Sequence, residues 1–169
     1  PITPTEADPA EIAREAVAEV RARHPPGELR FETRGNVRGE WDPSRVSQAL
    51  SNLIVNAVQH GGEGATVTVD IRSEEDRAAV AIHNNGRTIP PEQLDGIFNP
   101  MKAKEWPRTA SVTGPAGNLG LGLYIAERIV HAHGGKIWAQ SEPEIAVNTS
   151  LYRSLSYDPA GRPITWAWA

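Results

Sequence analysis

A two-layer α+β domain, with helices on one face of a mixed and mostly antiparallel sheet, is the fold class this sequence predicts. Apolar residues recur at helical spacing in some stretches and alternate with polar residues in others. Their order is helix, strand, helix, strand, strand, long loop, helix, strand, strand, which is not the regular alternation of a doubly wound sheet. The 169 residues, 39% of them hydrophobic, suffice for one compact core.

The first helix opens at Asp8-Pro9-Ala10-Glu11, which reads as a capping box, and Ile12, Ala16, Val17 and Val20 form its apolar face. His24-Pro25-Pro26-Gly27 ends it, and Leu29 to Thr33 reads as a short strand. The second helix starts where Asp42 can cap free N–H groups and Pro43 suits the first helical position. Val46, Ala49, Leu50, Leu53, Ala57 and Val58 give it one apolar stripe. Thr66 to Ile71 and Arg77 to Asn84 form a hairpin of half-buried strands. A short helix is expected from Pro91 to Ile97, then a long polar loop from Met101 to Gly117. Gly120 to His133 is a helix with Leu123, Ile125, Ala126, Ile129 and Val130 inside, stopped by Gly134-Gly135. Lys136 to Ser141 and Thr149 to Tyr157 complete the strands, and residues 158–169 form a tail in which Trp166 and Trp168 are expected to pack on the sheet.

Composition narrows the function. A net charge of −4 argues against sequence-independent nucleic-acid binding, and the lack of cysteine excludes disulfides, cysteine–zinc sites and thiol nucleophiles. No apolar run approaches the roughly 20 residues that span a bilayer, and the first residues do not resemble a signal peptide. A soluble, cytoplasmic piece of a larger protein, whose parent could be membrane-anchored, is expected. Neither G-x-G-x-x-G after a strand nor G-x-x-x-x-G-K-[ST] occurs. Asn52 and Asn56, four apart on the flank of the second helix, are either a solvated edge or a polar pair beside a pocket.

Four pieces taken together carry a resemblance. Asn52-Leu53-Ile54-Val55-Asn56-Ala57 resembles the N box of the histidine-kinase ATP-binding domain, in the GHKL superfamily. Asn84-Asn85-Gly86-Arg87-Thr88-Ile89-Pro90 is similar to its first glycine box, Ile97-Phe98-Asn99-Pro100-Met101 to its F box, and Asn118-Leu119-Gly120-Leu121-Gly122-Leu123 to its second glycine box. The resemblance covers about residues 8 to 157. It implies a Bergerat-type α/β sandwich over residues 1–157, with ATP between the N-box helix and a flexible lid at about 101–117.

By the same resemblance Asn56 is the Mg²⁺ ligand and Asn52 sits near the phosphates or their waters, the pair being catalytic. His60 is either a nucleotide contact or a helix-end histidine. Asn84, Gly86, Thr88, Ile89 and Phe98 are expected to bind nucleotide, as are Asn118, Leu119, Gly120, Leu121, Gly122 and Leu123. Gly120 and Gly122 let backbone N–H groups reach the phosphates at a helix start. Lys102, Lys104 and Arg108 are cations for the terminal phosphate or solvated surface residues.

Three departures stand out. Asn84 replaces the aspartate that accepts from the adenine amino group; a neutral acceptor gives about 1 kcal/mol less, or about 5- to 10-fold in affinity. Its amide can also donate, which loosens selection for adenine over guanine. Thr88 stands where the family has a glycine, and Asn118 often so. Hydrolysing relatives carry a glutamate four residues before the metal-binding asparagine; Asn52 cannot act as that base, which favours phosphoryl transfer over hydrolysis.

The resemblance therefore implies the catalytic domain of a sensor histidine kinase, which uses ATP and releases ADP. The acceptor histidine would lie on a separate dimerisation and phosphotransfer domain, with a response regulator further downstream, because none of the five histidines has the acceptor context. Alternatives are a degenerate nucleotide- or partner-binding module and an anti-sigma-type serine/threonine kinase. The isolated domain is expected to be a monomer with no nucleic-acid or membrane contact.

Overall fold

The computed structural model of the chain describes residues 1–23, 27–61, 64–74, 77–86, 88–94, 96–103, 121–141 and 149–155. Asp8 starts the first helix, α1 (Pro9–Arg23): its Oδ1 accepts from the Ala10 N–H at 2.9 Å. Glu11 does not complete a capping box; it faces Arg38 at 3.9 Å, and Asp8 does so at 3.6 Å. Two three-residue strands that local patterning did not reveal, β1 (Thr5–Ala7) and β3 (Gly39–Trp41), pair antiparallel with Thr5 opposite Trp41. Between them in sequence comes β2 (Glu28–Arg34).

The central helix α2 (Pro43–Gly61) begins as its sequence requires, with Asp42 Oδ1 accepting from the Arg45 N–H at 3.1 Å and Pro43 first in the helix. Val46, Ala49, Leu50, Leu53, Ile54 and Ala57 are buried, a wider stripe than expected because neighbours cover both flanks; Val58 is half-buried. Next come β4 (Thr66–Glu74), β5 (Arg77–Asn84), α3 (Pro91–Leu94), α4 (Pro100–Ala103), α5 (Leu121–Ala132), β6 (Lys136–Gln140) and β7 (Thr149–Leu155). The expected helix from Pro91 to Ile97 is shorter, giving way to a turn at 96–98 in which the Asn99 N–H donates to the Gly96 carbonyl at 2.9 Å. The expected loop starts with the helical turn α4, and its residues 104–117 lie outside the described residues, as does the tail.

The main sheet runs β2-β4-β5-β7-β6. β2 is parallel to β4, with Leu29 opposite Val67; the other pairs are antiparallel, with Val69 opposite Ile82 and Ile82 opposite Leu151. This register puts Val67, Val69, Ile71, Val80 and Ile82 on one face, all at most 1% exposed. α2 covers β4 and β5, with α1 on one side and α5 on the other. α5 ends where Gly134 takes φ +72° and the Gly135 N–H donates to the Val130 carbonyl at 2.9 Å, a left-handed cap open to glycine without strain.

Candidate functional site

α2 carries Asn52 and Asn56 along the flank of its buried stripe, and both are half-buried. The Asn52 Nδ2 is shut off from solvent and has no hydrogen-bond partner among the described residues. A solvated flank would leave that amide wet, so the pocket-edge alternative fits the geometry. Opposite it lies the start of α5: a Cβ on Gly122 would stand 3.7 Å from the Asn52 Cβ and 3.8 Å from its Oδ1. An amide nitrogen with no partner among the described residues therefore adjoins the start of a helix, the end at which N–H groups and the helix dipole favour an anion.

A second group forms around the last turn of α2. Asn84 follows Val80 and Ile82 on the inner face of β5 and is 1% exposed. A Cβ on Gly86 would collide with the His60 carbonyl and lie 2.7 Å from the Asn84 Nδ2, so only glycine lets this loop pass so close. His60, Asn84 and Gly86 are thus brought together. Desolvation holds His60 below its ordinary imidazole range although the residue as a whole is exposed, and burial lowers His83 on β5 as well.

The loop after β5 is fixed at two points. Asn85 Oδ1 accepts from the Thr66 N–H at 2.8 Å, and the Ile89 N–H donates to Ser141 Oγ at 2.8 Å. Ile89 and Phe98 pack against the core. Thr88, Lys102 and Leu121 are exposed, whereas Leu123, 8% exposed, is a core residue whose side chain packs inward. Lys104, Arg108, Asn118, Leu119 and Gly120 lie outside the described residues.

At the far end of the same two helices, Asp42 has partners beyond the cap that its sequence indicated, and His133 has a role that the sequence did not reveal. Asp42 accepts from the Thr3 N–H at 2.8 Å and the Ser44 hydroxyl at 2.7 Å. With the Arg45 N–H adding to these, its carboxyl is held at about 2, the Thr3 N–H being the largest cause and burial opposing it. The Asp42 N–H donates to His133 Nε2 at 3.1 Å, while His133 Nδ1–H donates to the Ile129 carbonyl at 2.9 Å. The sole hint was a histidine directly before Gly134-Gly135.

These features describe an α/β sandwich with an unpartnered amide where two helices approach, and a buried amide at the end of a central strand. Residues 41–154 match the family described as histidine kinase-, DNA gyrase B- and HSP90-like ATPases, and the chain belongs to that family. It is 36% identical over 104 residues to the sensor histidine kinase WalK of Bacillus subtilis, the match taking in 60% of this chain and 16% of WalK. It is 34% identical over 116 residues to the sensor histidine kinase ZraS of Salmonella typhi, covering 68% of this chain and 23% of ZraS. The chain thus spans less than a quarter of these relatives. The catalytic domain of the histidine kinase ThkA superposes with a TM-score of 0.77 at 27% identity, covering 95% of this chain and all of that domain. ThkA in complex with the response regulator protein TrrA also matches, with a TM-score of 0.74 at 26% identity over 94% of this chain and 43% of that one. The expected sandwich, mixed sheet and family membership are borne out.

Proposed function

We propose that this domain binds Mg²⁺-ATP and presents the γ-phosphoryl group to a histidine on a separate helical domain of a sensor kinase, in two-component signalling. A ring nitrogen of that histidine would form the new bond to phosphorus as the bond to the bridging oxygen breaks, and ADP would leave. The observation that carries this reading is the buried, unpartnered Asn52 amide beside Gly122 at the start of α5. An amide donor there suits a phosphate oxygen or a metal-bound water. Asn56, one turn further along α2, offers an oxygen donor for Mg²⁺, which would neutralise charge on the phosphates. Asn84, Gly86, Ile89 and Phe98 would line the nucleoside end, His60 would stand near the phosphates, and Lys102 with Lys104 and Arg108 would supply cations.

At the position where hydrolysing relatives carry a glutamate this chain has Asn52, which supports transfer over hydrolysis. Residues 1–157 would act as the catalytic unit and 158–169 as a tail. The isolated domain would be monomeric and cytoplasmic, free of nucleic acid and membrane, and a response regulator would take the phosphoryl group from the acceptor domain.

Calorimetric titration with ATP and GTP, with and without Mg²⁺, tests the binding step. Transfer to a supplied acceptor domain tests the chemistry. Asn56→Ala should reduce transfer at least as much as the roughly 10- to 100-fold that loss of an outer-shell metal partner costs; unchanged transfer would refute the assignment. The neutral Asn84, 1% exposed where the family has an acid, supports a second reading as a degenerate binding module. No binding at millimolar nucleotide would select it. An acid-stable phosphoprotein product would instead select the serine/threonine kinase.

A further inference from the structure

We infer that His133 is a positioning residue for the phosphate end of the site, acting through the backbone of Asp42 to set the register between α5 and α2. The two helices run antiparallel: the end of α5 meets the start of α2 at His133–Asp42, and the start of α5 meets the middle of α2 at Gly122–Asn52. Ten residues separate Asp42 from Asn52 and eleven separate Gly122 from His133. At helical rise these spans are about 15 Å and about 16 Å, so a pair pinned at one end arrives matched at the other.

The pin is polar and directional. His133 is 7% exposed, and both ring nitrogens are engaged, Nε2 with the Asp42 N–H and Nδ1–H with the Ile129 carbonyl. Those two bonds select one neutral tautomer and lock the ring across the start of α2. Trp41, 3% exposed, closes the other side, with ring centroids 6.1 Å apart and planes 34° apart. Leu123, Ala126, Ile129 and Val130 of α5 belong to the same apolar core as the buried stripe of α2. Apolar contact is non-directional and tolerates sliding. A slip of one residue moves a helix by about 1.5 Å and turns it by about 100°, so another group would then face Asn52. The register that holds Gly122 against Asn52 is therefore set by the hydrogen bond at the distant end.

The consequence for nucleotide rests on the ATP-binding reading; the coupling between the helix ends does not. The test compares His133→Gln, which keeps an acceptor for the Asp42 N–H, with His133→Leu and His133→Ala, which remove it with and without bulk. In the nucleotide-free protein, hydrogen exchange at residues 123–126 should quicken about tenfold in both apolar variants and stay near wild type in His133→Gln. ATP affinity should fall about tenfold in the apolar variants, which is the loss of one hydrogen bond's worth of alignment, and recover in His133→Gln. Faster exchange confined to residues 129–135, or a His133→Gln variant as impaired as His133→Leu, would overturn the inference. Failure of the wild type to bind ATP would overturn the functional reading alone, since the exchange comparison is made without nucleotide.

Discussion

Gly122 at the start of α5 leaves room for one methyl group before Asn52 of α2: a Cβ placed on it would stand at van der Waals distance, 3.7 Å from the Asn52 Cβ. Gly122→Ala therefore meets no clash. Alanine favours the helix over glycine, so unfolding stability should rise by about 0.5 kcal/mol. The methyl group would nevertheless occupy the approach to the helix end, and ATP affinity should fall about tenfold or more by titration. A rise in stability with unchanged affinity would place the phosphates elsewhere.

Gly86→Ala has the opposite balance. Its methyl group would strike the His60 carbonyl and crowd the Asn84 Nδ2 at 2.7 Å. Overpacking of that kind costs about 1–3 kcal/mol, to be read from the urea midpoint.

Asn84→Asp would restore a charged acceptor to a side chain that is 1% exposed. ATP affinity should increase about 5- to 10-fold, with GTP unimproved. Stability should fall, because a charged carboxylate would replace a neutral amide at a buried position packed against the Gly61–Gly86 backbone. Paired titration and unfolding measurements separate the two effects.

Asp42 has its carboxyl lowered from 3.8 to about 2 in the folded protein. The folded state thus binds that proton less readily than the unfolded chain, so the group's stabilisation is complete above about pH 4 and disappears as pH falls towards 2. Asp42→Asn should flatten the stability profile in that window. Asp42→Ala should also cost about 0.5–2 kcal/mol at neutral pH through loss of the cap.

His60 is depressed below 6.5 by desolvation. Because the unfolded chain takes up that proton first, stability should decline as pH drops below 6.5. If the ring lies at the phosphates, ATP should raise its titration midpoint, which imidazole NMR signals would follow. An unmoved midpoint would leave His60 as a helix-end histidine.

How much could be read in advance follows from distance along the chain. The cap at Asp42, the stripe from Val46 to Ala57 and the stop at Gly134 are local devices, and each was legible. The β4–β5 hairpin was legible for the same reason. β1 and β3 were not, because three residues carry no periodicity and their pairing joins positions 5 and 41. The Asn52–Asn56 pair showed in the spacing, whereas its burial depends on α5, some seventy residues later. Ser141 as the acceptor for Ile89, and His133 as the acceptor for Asp42, are separated from their partners by 52 and 91 residues. A lone serine or histidine gives no sign of such a task.

At one border of the main sheet, β2 has a neighbour on one side only among the described residues. Arg21 reaches from α1 to donate to the Leu29 carbonyl at 2.6 Å, and Glu28–Arg30 and Glu32–Arg34 pair at 2.9 Å along the strand. An incoming strand that paired with the Leu29 carbonyl would have to displace that guanidinium, and it would meet a strand dense in charged side chains. The border is thereby closed to runaway β-addition, so concentrated solutions of the domain should resist fibril growth from this side.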